Sequence, residues 1–179
     1  MQFNVQNSKY TTALITSVGA ADAVNTAFDD KSTSNHTISV AGDSHQTTFS
    51  PYRHGGYSTY FDGTGDYITI ANDTSLVLGT GEFTVECWIR PITVSAGTRS
   101  IFDFRTTATE LSPYLYLDAA NLEFYVNGAI VIQGTATIVA NQWTHVAISK
   151  SGSVTKMFVN GVQDGSDYSA VSYTHLTLP

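Results

Sequence analysis

The stretch Trp143–Gln163, WTHVAISKSGSVTKMFVNGVQ, decides the fold. Its first half alternates, with Val146 and Ile148 on one side, which is the period of a strand with one buried face. Ser151–Gly152 is a turn. In the second half Met157, Phe158 and Val159 are apolar on successive residues, which predicts cover on both faces of that strand. Asn160–Gly161 predicts a tight two-residue turn, because both residues tolerate positive φ. Trp143 and His145 read as part of this scaffold.

Upstream the same pattern recurs. Phe83–Arg90 (FTVECWIR) sets Phe83, Val85, Cys87 and Ile89 against Glu86, Trp88 and Arg90, and Pro91 stops it. Ser100–Arg105, Tyr114–Asp118 and Leu122–Asn127 alternate likewise, and Ala129–Gln133 returns from Asn127–Gly128, a second hairpin signal. His36–Ala41, Tyr57–Phe61 and Asp66–Ile70 supply shorter strands, the last two joined by Asp62–Gly63–Thr64–Gly65. Roughly ten short strands at even spacing, with almost no helix, predict an all-β, antiparallel two-sheet sandwich. Residues 1–35 are polar and read as an arm with a loop over Phe28–Asn35. Only Ala20–Ala27 has helical propensity there.

Composition removes several roles. The chain has 179 residues, enough for one domain with an appended arm. The formal charge of −7 opposes nucleic-acid binding, which needs cations to displace phosphate counterions. One cysteine, Cys87, excludes an intrachain disulfide and a Cys-based zinc cage. The stretch MQFNVQNSKY has neither the apolar core nor the cleavage site of a signal peptide. No apolar run approaches membrane-spanning length, so membrane insertion is not expected.

The segments FDGTGDYITI, GTGEFTVECWIRP, LEFYVNGAI, WTHVAISKSG and KMFVNGVQ, in this order and spacing, resemble the laminin-G-like domains of the concanavalin A-like lectin/glucanase superfamily. The resemblance covers about His36 to Asp167. DDKSTSNHTISVAGD, FSPY and YFDG resemble the versions found in bacteriophage structural proteins. A jelly-roll sandwich is implied, usually without catalysis, binding glycans, proteins or calcium, or building virion surfaces. The implied organisation is an arm at 1–35, a sandwich at 36–171 and a tail at 172–179. The ending SYTHLTLP departs from the family pattern. It reads as a C-terminal truncation with a non-native tail, the alternative being a final strand, since THLTL alternates.

Glucanases on this scaffold resemble one another in a strand bearing E-x-D-x-x-E, whose carboxylates flank the scissile bond. The nearest analogue here, Glu86-x-Trp88-x-Arg90, keeps one acid beside a cation, so a non-enzyme is expected. No G-x-S-x-G elbow is present, the spacing indicates no Ser/His/Asp set, and the five histidines are scattered.

Alternation places Glu86, Trp88, Arg90, Asp103, Tyr114, Tyr116 and Tyr125 opposite the core-facing residues, with Arg105 and Glu123. If several share one sheet, they form an aromatic and charged surface suited to sugars. The plainer alternative is cross-strand pairing that stabilises sheets. A calcium ion at the rim, implied by the resemblance, would draw on Asp62 and Asp66, with Asp73, in one region, or on Asp118 and Asp164, with Asn127, Asn160 and Asp167, in others. Oxygen ligands on turns suit a hard cation. Asp62 also precedes a glycine, as a turn former does. The expected role is a lectin-like module of a virion surface or extracellular protein, partnered by a glycan or surface protein and by other virion subunits. The alternative is a purely structural virion component that assembles through its arm.

Overall fold

The computed structural model describes residues 11–17, 27–51, 57–106, 110–169 and 173. Most of Ala20–Ala27 and of Ser172–Pro179 lies outside them. The chain divides into two units, Met1–Leu76 and Val77–Pro179.

Among the described residues, the first unit shows three short antiparallel pairs. Strand β1 (Ile15–Ser17) pairs with β2 (Phe28–Asp30), within the stretch read as arm and loop. Two three-residue strands are too short to show a period, which is why alternation missed them. Strand β3 (Ile38–Ala41) pairs with β6 (Tyr67–Ile70), setting Ile38 opposite Ile70 and Val40 opposite Ile68. Strand β4 (His45–Thr47) pairs with β5 (Ser58–Tyr60), and a 3-10 turn at Thr74–Leu76 closes the unit.

The second unit is an antiparallel two-sheet sandwich. Its strands are β7 (Phe83–Ile89), β8 (Thr98–Asp103), β9 (Tyr114–Asp118), β10 (Asn121–Val126), β11 (Ala129–Gln133), β12 (Thr144–Ser151), β13 (Val154–Val159) and β14 (Val162–Ser169). One sheet has the order β14-β13-β12-β7, the other β11-β10-β9-β8. Leu115, Leu117, Leu122, Phe124 and Ile132 from the second sheet meet Val146, Ile148 and Met157 from the first in one apolar cluster. Each is at most 2% exposed. Burying each such side chain contributes about 2 kcal/mol, and this cluster is what holds the sheets together.

Both Asn-Gly turns form as the sequence predicts. Asn127 and Gly128 have φ of 53° and 83°, Asn160 and Gly161 of 50° and 79°. Positive φ at both central residues matches the right-handed twist of the flanking strands. Cys87 is core-facing, and burial, then Glu86, pushes its thiol up to about 11.

Tyr173 falls within 172–179 and is a core residue, 1% exposed. Its N–H donates to Gly79 O at 2.9 Å, and its hydroxyl lies 2.5 Å from Thr155 Oγ1. Its ring meets Phe83 edge-on, with centroids 5.4 Å apart.

Candidate functional site

The register separates the residues that alternation grouped. Trp88 lies opposite His145, and Glu86 opposite Ala147, on the outer face of the sheet containing β7. Asp103 lies opposite Tyr114, and Tyr114 opposite Tyr125, on the outer face of the sheet containing β9. The core lies between the two sheets, so these are two surfaces of the sandwich and not one. Alternation gives the side of a strand but not its sheet, and no local signal could have supplied that.

On the β9 surface the aromatics are packed together. Tyr114 and Tyr116 stack with centroids 4.8 Å apart, and Tyr125 meets Tyr114 edge-on at 6.2 Å. The Arg105 guanidinium sits 3.7 Å from the Tyr114 ring centre and grips Asp103 through two bonds, Nε to Oδ1 at 2.9 Å and Nη2 to Oδ2 at 2.8 Å. That pairing raises the guanidinium further above its ordinary value. Tyr116 donates to Glu123 at 2.5 Å, and burial, then this bond, pushes the phenol up. Tyr114, Tyr116 and Glu123 are each 8% exposed, so little of them faces solvent. This cluster is cross-strand packing of the kind that stabilises sheets.

The β7 surface is different. Trp88, the next-to-last residue of β7, is 42% exposed. Its ring lies 5.3 Å from that of His145, whose Nε2 is 3.3 Å from Glu86 Oε2. A tryptophan, an imidazole and a carboxylate thus converge on an open face. Arg90 follows the strand and donates from Nε to Asn141 O at 3.2 Å, which ties it to the neighbouring loop.

Asp62 and Asp66 come together with Asp43, which the sequence reading missed, their oxygens within 4.8 Å of one another. Among the described residues this is the one such acidic group. Asp66 already accepts the N–H of Asp62 at 2.7 Å on one oxygen and that of Asp43 at 2.9 Å on the other. These bonds, Asp62 first, hold its carboxyl below the usual range.

Asp118 and Asp164 belong to the second unit and act separately. Asp118 accepts the N–H of Gly97 at 2.9 Å. Asp164 is 5% exposed, and its Oδ1 accepts from Thr135 N, Thr135 Oγ1 and Ala136 N at 2.8, 3.1 and 3.0 Å. Its Oδ2 is buried without a partner, but it abuts Gly134 so closely that an added Cβ there would lie 2.5 Å away. Through Oδ1, Asp164 caps the segment that leaves β11.

One constellation escaped the sequence entirely. His36 Nδ1 lies 2.6 Å from Asp30 Oδ2, and His36 Nε2 lies 2.8 Å from Ser75 Oγ. Asp30 also accepts the N–H groups of Leu14, Ser32 and His36 and the Ser32 hydroxyl, at 2.8 to 2.9 Å. Burial alone would raise this carboxyl, but the bonds outweigh it and hold it well below the carboxylate range. The Asp–His–Ser order is that of an activated serine. The Ser75 N–H donates to Asp73 Oδ1 at 2.8 Å. The His36 side chain is also only 3% exposed. The trio is a polar tie between three segments.

A family model described as the concanavalin A-like lectin/glucanases superfamily matches residues 62–177. No curated protein matches the chain.

Proposed function

The chain belongs to the concanavalin A-like lectin/glucanases superfamily, and from that premise we propose that its sandwich is a non-catalytic, lectin-like module recognising a glycan or a glycan-bearing surface protein. The observation that carries this reading is Trp88, exposed on the β7 face between His145 and Glu86. An open aromatic ring stacks on the apolar face of a sugar, and the adjacent carboxylate and imidazole can bond its hydroxyls. Among the strands, the Glu86-x-Trp88-x-Arg90 analogue lacks the second acid that glycoside hydrolysis requires.

The setting we propose is the surface of a bacteriophage virion, with other virion subunits as partners. What supports it is the resemblance of DDKSTSNHTISVAGD and YFDG to segments of phage structural proteins. A glycan array probed with the wild-type chain and with Trp88→Ala tests the function. Binding lost in the variant, with its melting curve unchanged, supports the lectin-like reading. An array without a single binder overturns it in favour of a structural virion component that assembles through residues 1–35.

A further inference from the structure

We propose that the β14-β13-β12-β7 sheet carries a second site, beside a bulge in β14, that takes a free α-amino acid with an apolar side chain.

The site begins at a break in the register. Thr155 lies opposite Tyr168 and Met157 opposite Asp164, so the single residue Lys156 faces the run Gly165, Ser166 and Asp167. The extra residues form a bulge on an edge strand, a device that re-aims a side chain. Gly165 permits it. Its φ is 76°, and a Cβ there would lie 2.6 Å from Ile132 Cγ2 and 2.7 Å from Gln133 O. Across the bulge, Asp167 Oδ1 lies 3.6 Å from Lys156 Nζ. Gln163 holds both, accepting from Lys156 Nζ at 3.1 Å and donating to Asp167 Oδ1 at 2.7 Å. An acid and a base are thus fixed side by side.

A depression of about 410 Å³ opens at this pair, lined by Ser149, Ser151, Val154, Lys156, Phe158 and Asp167. Trp88, Glu86 and His145 do not line it. Val154, Lys156 and Phe158 alternate with the buried Thr155, Met157 and Val159, and Ser149 and Ser151 lie opposite Lys156 and Val154. Two half-buried apolar side chains and two opposite charges therefore share one small space. Sites for small molecules run from roughly 300 to 1,000 Å³ and combine apolar walls with a few placed polar groups.

The charges select the class. A lone cation or anion would choose a ligand of the opposite sign, whereas a fixed pair chooses a ligand that carries both. An α-amino acid holds its ammonium and carboxylate on the same carbon, side by side as Asp167 and Lys156 are. The Lys156 ammonium has N–H groups beyond the one given to Gln163, and these meet the carboxylate. Asp167 takes the Gln163 bond on Oδ1, and Oδ2 meets the ammonium. Val154 and Phe158 receive the side chain, which gains by leaving water. A neutral sugar satisfies neither charge.

Calorimetric titration of the wild-type chain with L-phenylalanine and L-leucine tests the site, and saturable binding is expected. Phenethylamine lacks the carboxylate and N-acetyl-L-phenylalanine lacks the ammonium. Each should bind about tenfold more weakly than L-phenylalanine, the loss of one charge-assisted bond. Lys156→Gln and Asp167→Asn should each cost about the same factor, and Phe158→Ala about tenfold through lost apolar contact, with melting curves showing that each variant is folded. Trp88→Ala should leave the affinity unchanged. Absence of saturable binding overturns the site. So does phenethylamine binding as tightly as L-phenylalanine, or binding that Lys156→Gln and Asp167→Asn both leave intact.

Discussion

Asp164 Oδ1 accepts the backbone N–H of Thr135 at 2.8 Å, and so fastens β14 of one sheet to the segment leaving β11 of the other. The same oxygen takes the Ala136 N–H at 3.0 Å. Asp164→Ala removes the acceptor and leaves two backbone donors at a sheet junction. The expected cost is about 2 kcal/mol, or roughly 5 °C in Tm, read from a thermal melt. An unchanged melt would mean that the two sheets do not depend on this cap.

Tyr173 fills the core between Phe83 and Phe124. Tyr173→Ala should cost about 4 kcal/mol, the usual loss for truncating a large buried ring. Tyr173→Phe should cost only about 1 kcal/mol, because it removes just the bond to Thr155. Chemical denaturation of the two variants separates packing from hydrogen bonding. Equal midpoints for Tyr173→Ala and the wild type would show that the ring does not pack as described.

Asp30 links stability of the first unit to pH. Its folded carboxyl is held below the ordinary range, so the charged form is the one folding favours. The stabilisation is therefore complete above the unfolded carboxylate value of about 3.9 and is lost as pH falls below it. Asp30→Asn should cost about 3 kcal/mol at neutral pH and should flatten the acid limb of the stability curve. Denaturation midpoints of both proteins from about pH 6 down to about pH 2, which crosses the unfolded carboxylate value, provide the check.

Asp66 holds its turn by accepting the backbone N–H groups of Asp62 and Asp43. Asp66→Ala should therefore lower Tm whether or not calcium is added, and chelator should leave the wild-type melt unchanged. A rise in Tm with calcium that vanishes in Asp66→Ala would show that the turn does hold the ion.

The sequence by itself determined the strands of the sandwich. Alternation in Phe83–Ile89 and Thr144–Ser151, and the Asn-Gly pairs at 127–128 and 160–161, are local signals, and the structure places strands and turns where they predict. The same signals state which side of a strand a residue occupies. They carry nothing about which sheet a strand joins, because that depends on pairing between segments far apart in the chain. Trp88 and Tyr114 therefore looked equivalent in sequence, and only tertiary structure put one on an open face and buried the other in a stacked cluster. It also decided that Asp164 caps a junction, and that Asp30, His36 and Ser75 meet. Each of these rests on hydrogen bonds between residues distant in sequence, which no periodicity records.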